Sequence, residues 1–140
     1  MANNTILRWI PEGKSFTATD STGHSVVLST TAEGIGMKPS ELILSALSGC
    51  SSVDVVNILQ KKKVPLSRLE VHATAEKDAD PPWTFRKIHL KYILKGEGLT
   101  EKNVTQAIHL SETKYCSVWA TLSGVAEITS SFEILPEEMI

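Results

Sequence analysis

Cys50 and Cys116 carry the most reactive chemistry in this 140-residue chain. A thiolate attacks electrophilic oxygen or sulfur, and a second thiol can close a disulfide on the first. Cys50 lies in ELILSALSGCSSVDVVNIL, residues 41–59, a stretch that is almost entirely apolar, small or hydroxylic. Asp54 follows four positions later. At ~100° per residue a helix places i+3 and i+4 on one face, so Val53 and Asp54 share the face of Cys50. Asp54 can bond the thiol region or pair with a basic group elsewhere. A nearby carboxylate alone raises a thiol's pKa, so a reactive Cys50 needs a compensating donor or cation. The plainer alternative makes both cysteines small core residues and Asp54 a carboxylate paired with Arg or Lys at a subunit seam.

Cys116 lies in SETKYCSVWATLSG. A helix break near Lys114 would set it in the first turn of a last helix, where free N–H groups and the dipole favour a thiolate. On that argument alone Cys116 is the nucleophile. The small neighbours Ser48, Gly49, Ser51 and Ser52 argue for Cys50, because they leave room for a substrate. The four histidines, His24, His72, His89 and His109, are scattered, and neither cysteine belongs to a CxxC pair, so no metal site is expected. His72 and His89 read as solvated strand residues. No GxSxG, P-loop or GxGxxG is present, and no cofactor is expected. Trp9, Trp83, Tyr115 and Trp119 suit either an apolar pocket or the core.

The elements that must position these residues follow from periodicity. Ile6–Ile10, Lys14–Thr19 and Ser25–Ser29 read as strands of an antiparallel meander. A Gly- and Pro-containing loop spans 30–39. A helix should open near Pro39 or Ser40, with Glu41 in its first turn, and run to about Lys62. At ~22 residues it would be ~33 Å long. It is apolar over most of its circumference, which implies burial on several sides and hints at a partner subunit. Leu69–Glu76 and Lys87–Leu94 alternate as strands. Thr100 should cap a helix over about 101–112, a second helical piece should cover about 115–123, and a last strand about 126–134. The order βββ-α-ββ-αα-β segregates strands from helices and favours an α+β fold in one domain, 1–140.

Apolar residues make up 41% and charged residues 21%, with a formal net charge of −2. Lys61-Lys62-Lys63 is the largest basic cluster, so nucleic acid is not an expected partner. No run reaches roughly 18 uninterrupted apolar residues, and MANNTILRWIPEGK has no signal-like pattern, so no membrane is expected and the expected location is cytoplasmic. Thiols stay reduced there, so the two cysteines are not a structural bridge, which leaves a redox or nucleophilic pair or two small buried core residues.

GMKPSELILSALSGCSSVDVVNIL resembles the central-helix motif of the OsmC/Ohr family (osmotically induced protein C and organic hydroperoxide resistance proteins). In that family a Pro opens a long buried helix and a small residue precedes the first redox Cys. SETKYCSVWATLSGVAEI resembles the family's second cysteine segment. The DVVNILQK and KYCSV stretches look most like its YhfA-like branch. The resemblance spans almost the whole chain. It implies an OsmC-like fold, an intertwined homodimer, and thiol-dependent reduction of organic hydroperoxides by a peroxidase. Cys50 would become a sulfenic acid, Cys116 would close a disulfide on it, and a dithiol reductant (lipoyl, thioredoxin or a small thiol) would restore both. Ser40, Glu41 and Asp54 are the candidate supporting residues. The family's peroxidases place Glu directly after the helix-opening Pro; here Ser40 holds that position and Glu41 comes next. They also use a loop Arg, whereas Arg8, Arg68 and Arg86 all lie outside the 33–36 loop. Two alternatives stand beside this reading: a small-ligand-binding or redox-sensing dimer on the same scaffold, and a purely structural dimer.

Overall fold

The computed structural model describes residues 3–136. The chain is α+β, with two separate three-stranded sheets. It divides into two compact units, Met1–Ile43 and Leu44–Ile140.

The first unit is the expected meander. β1 (Thr5–Ile10), β2 (Ser15–Asp20) and β3 (Ser25–Ser29) pair antiparallel in sequence order. The β2–β3 turn is held by Asp20, whose Oδ1 accepts from the Thr22 hydroxyl at 2.7 Å and from the Thr22 and His24 amides. These donors lower the Asp20 pKa, the Thr22 hydroxyl most. Gly36 is demanded by packing: a Cβ there would lie 2.7 Å from the Val27 carbonyl oxygen.

α1 (Pro39–Lys61) begins in this unit and carries into the second. Its fully buried residues, Leu47, Ser51, Val55 and Leu59, recur every fourth position. They share one core with Ile88, Leu90, Tyr92 and Leu94 of β5 (Phe85–Lys95) and with Val104, Ala107 and Ile108 of α2 (Glu101–Leu110). By length and composition α1 is long and apolar enough to cross a membrane; core residues of the second sheet pack along its one buried stripe. The expected all-round burial is absent within one chain: Ile43 and Val53 are exposed, Val53 by 60%.

The second sheet runs β4-β5-β6, with β4 (Arg68–Lys77) antiparallel to β5 and β6 (Glu127–Ile134) parallel to it. The β5 alternation holds, and its outward face carries Lys87, His89 and Lys91. His89 lies between two hydroxyls of β6, Thr129 at 2.7 Å and Ser131 at 2.8 Å, and His72 is exposed beside Glu70. His72 matches the expected solvated strand histidine; His89 is half-buried, with both ring nitrogens taken by β6 hydroxyls.

Thr100 caps α2 as expected. Its hydroxyl accepts from the Asn103 amide at 3.2 Å, and the Asn103 side chain accepts from the Thr100 amide at 2.9 Å. Beyond α2 the sequence reading needs correction. The α-helix ends at Leu110, and residues Ser111–Tyr115 form one π-helical turn. α3 is shorter than expected, Ser117–Leu122. The break therefore falls at Cys116, whose extended backbone (φ −80°, ψ 104°) separates the two pieces. A π turn keeps chain direction while shifting residue phase, which periodicity at 3.6 cannot register.

Candidate thiol site

The two cysteines meet within the second unit. Cys50 comes from the middle of α1 and is half-buried; Cys116 is buried, as the N-cap of α3. Both thiols are free. Cys116 Sγ accepts from the Trp119 amide at 3.3 Å, the capping bond of that short helix.

The electrostatics separate the pair. Burial pushes Cys50 up, but the Val118 amide, the Cys116 thiol, and the hydroxyl and amide of Ser117 all donate to its sulfur, and together they hold its pKa below the ordinary thiol value. Burial pushes Cys116 up to about 11, and so does its role as donor to Cys50. This corrects the reading of the helix start. The first amides of α3 are shared: Ser117 serves Cys50, Val118 serves both sulfurs and Trp119 caps Cys116, which gives its own proton to Cys50. At Cys116, burial and donation to Cys50 outweigh the amides of the helix start, so the balance favours the Cys50 thiolate.

Asp54 is placed differently from either sequence reading. The Ser111 hydroxyl donates to its Oδ2 at 2.8 Å, and no described Lys, Arg or His forms an ion pair with it. Ser111 also lies 3.2 Å from the Ser51 hydroxyl, which is hydrogen-bonded to the phenol of Tyr92. Ser51, Ser111 and Tyr92 are fully buried. Burial is the main cause that lifts the Tyr92 phenol to about 12, with the charges of Glu112, Cys116 and Asp54 adding to it. Glu112, in the π turn, accepts from the Ser130 hydroxyl of β6.

Glu41 pairs with Lys38 at 3.3 Å, on an exposed surface of the first unit, and Ser40 stands at the start of α1 in that same unit. Arg68 is bound to Glu70 and Arg86 to Asp78 (2.9 Å), so both guanidinium groups serve surface carboxylates. The donors around Cys50 are neutral: two amides, a hydroxyl and a thiol.

A match to the OsmC-like protein family covers residues 31–131, which include both cysteines. The chain belongs to that family. Protein YhfA of Escherichia coli K12 is 35% identical over 129 residues, spanning 92% of this chain and 96% of its own. A crystal structure of a hypothetical protein from Aquifex aeolicus is 29% identical, with a TM-score of 0.87 over 99% of both chains. The organic hydroperoxide resistance protein OhrB of Bacillus subtilis shares the fold, with a TM-score of 0.63 over 95% of this chain and 98% of its own, at 13% identity.

Within this OsmC-like chain, sequence reasoning missed Ser51, Tyr92, Ser111 and Ser117. Two of them left a signal. Ser51 is the polar residue in the buried stripe 47-51-55-59, and Tyr92 is the polar tip in the inward set 88-90-92-94. A buried hydroxyl at either position requires a partner. Ser111 and Ser117 left none, because the π turn and the cap that aim them were not foreseeable.

An open groove of ≈350 Å³ starts at Asp54, one turn beyond Cys50, and is lined by Asn57, Ile58, Lys61, Leu110 and Tyr115. A larger groove of ≈670 Å³ lies between α2 and β6, against Ile108, Glu112, Ser130 and Phe132, away from both thiols.

Proposed function

We propose that the protein is a thiol peroxidase for organic hydroperoxides, acting as a homodimer in a reducing compartment. The observation that carries this reading is the pairing itself: two free thiols packed on one core, Cys50 from mid-α1 and Cys116 at the cap of α3, with burial and donation to Cys50 raising the Cys116 pKa and donors lowering that of Cys50. The Cys50 thiolate attacks the distal peroxide oxygen. The O–O bond breaks, the sulfur takes that oxygen as a sulfenic acid, and the alkoxide leaves as the alcohol after taking a proton. Cys116, as thiolate, then attacks the Cys50 sulfur; an S–S bond forms and the oxygen departs as water. A dithiol reductant opens the disulfide by two exchanges and is itself oxidised to a disulfide. The partly apolar groove beside Asp54 suits an organic substituent. The family and its Ohr-type folds agree with this chemistry.

The test is to treat the protein with one equivalent of cumene hydroperoxide and follow both thiols. Wild type should lose two thiols per peroxide and regain them with dithiothreitol. Cys116→Ser should consume one peroxide and stall as a sulfenic acid that a cyclic diketone captures. Cys50→Ser should do neither. Thiol loss at the slow rate of free cysteine in all three proteins would leave the redox-sensing or ligand-binding dimer as the reading.

A further inference from the structure

We infer that Ser111, anchored on Asp54, is the positioning residue that holds the Cys116 thiol in register with Cys50. The inference rests on the two-cysteine cycle proposed above.

Ser111 is bound in three directions. Its amide ends α2 by donating to the Ala107 and Ile108 carbonyls. Its carbonyl accepts from the Cys116 amide at 2.9 Å, the bond that closes the π turn. Its hydroxyl reaches α1, donating to Asp54 Oδ2 at 2.8 Å, with Ser51 Oγ at 3.2 Å. A hydroxyl has one proton, and the charged, nearer carboxylate takes it. The anchoring points on α1 are the residue after Cys50 and the residue one turn beyond it. Ser111 thus joins the backbone of one cysteine to the helix of the other. Its side chain is fully buried, so the hydroxyl has no water to fall back on. π-helical turns are rare and frequently mark functional sites; this one sets the chain between Ser111 and Cys116.

The consequence falls on the resolving step. Attack by Cys116 on an oxidised Cys50 is intramolecular, and its rate depends on alignment; a misplacement of about 1 Å costs on the order of 100-fold. The first step at Cys50 needs no such alignment. Loss of the latch should therefore divide the two rates.

The measurement uses oxidised glutathione, which keeps it independent of peroxide chemistry. The Cys50 thiolate attacks glutathione disulfide and releases one glutathione thiolate. Cys116 then attacks the Cys50 sulfur and releases the second. Mass spectrometry under acid quench follows the mixed disulfide and its closure. In Ser111→Ala, closure should slow by about tenfold or more, with the mixed disulfide accumulating. Asp54→Ala should behave alike. Asp54→Asn retains an acceptor oxygen and should recover closure to within about threefold of wild type. A merely structural role would lower thermal stability and expose both thiols, accelerating the first step, and would gain nothing from Asn over Ala. Closure at the wild-type rate in Ser111→Ala overturns the inference, and so does equal slowing in Asp54→Ala and Asp54→Asn. Should Ser111→Ala fail to fold, the two Asp54 variants decide alone. Rapid closure in wild type with no response to cumene hydroperoxide would sink the peroxidase reading and leave the latch standing.

Discussion

At the residue scale the site works by taking a proton's worth of stabilisation from one sulfur and giving it to another. Cys50 collects donors from the Val118 and Ser117 amides, the Ser117 hydroxyl and the Cys116 thiol, and these outweigh its burial. The rate of Cys50 with iodoacetamide should therefore rise with pH through an inflection below the ordinary thiol value, near 9. Removing one donor, as in Ser117→Ala, should move that inflection upward, and an unmoved profile would show that the hydroxyl does not reach the thiolate. The Tyr92 phenol presents the opposite case. Its pKa rises from 10.0 to about 12 because burial disfavours the phenolate. Folding thus favours the protonated form; that contribution is complete below pH 10 and is lost as pH climbs through 12. Alkaline titration should show the Tyr92 phenolate absorbance at 295 nm appearing together with unfolding in that window. Tyr92→Phe should cost about 1 kcal/mol in denaturant melts, the usual worth of a buried hydrogen bond, because Ser51 loses its phenolic partner.

At the element scale, the first meander, the separate strands, α1 and the cap of α2 were legible because each is written in short-range pattern; the parallel pairing of β6 with β5 was not. The β5 set 88-90-92-94 alternates, Pro39 opens a helix, and Thr100 stands three residues before the Asn103 that answers it. The cysteine pair was legible as chemistry but not as geometry. Nothing in SETKYCSVW reveals that five residues wind as a π turn, and that turn decides whether Cys116 lies inside a helix or caps one. With the break moved to Cys116, the amides of α3 are shared between the two sulfurs, and burial weighs against Cys116. Asp54 was foreseen on the correct face, yet its partner is a serine 57 positions away, a long-range contact that no periodicity encodes. Connections carry hidden demands too. A Cβ on Gly96 would lie 2.5 Å from the Pro65 carbonyl oxygen, where the link from α1 to β4 crosses the end of β5. Gly96→Ala should destabilise by about 1–3 kcal/mol, the usual cost of overpacking against atoms that cannot yield, measurable as a lowered urea midpoint.

At the scale of the whole molecule the unresolved tension is α1 itself. It is apolar enough to match a bilayer-spanning helix, with a mean hydropathy of 1.7, yet only 22% of that window is buried within one chain. Leu47, Ser51, Val55 and Leu59 reach the core, while Ile43, one turn earlier in the same series, and Val53 remain exposed. Such a surface on a central helix needs a cover, and the proposed homodimer supplies one with a second copy of the same chain. Two substitutions on this helix separate folding from association. Leu59 is fully buried against the sheet, so Leu59→Asp places an unpaired charge in the core of a single chain and should abolish folding outright. Val53 is 60% exposed, so Val53→Asp is harmless to an isolated chain and damaging only where a partner covers it. Sedimentation at micromolar concentration should find wild type as a dimer. Val53→Asp should shift to a weaker dimer whose melting temperature falls on dilution, as linkage requires when association supports the fold. A wild-type monomer that stays compact on dilution, with Val53→Asp equally stable, would show that α1 has no partner and would remove the dimer from the proposal.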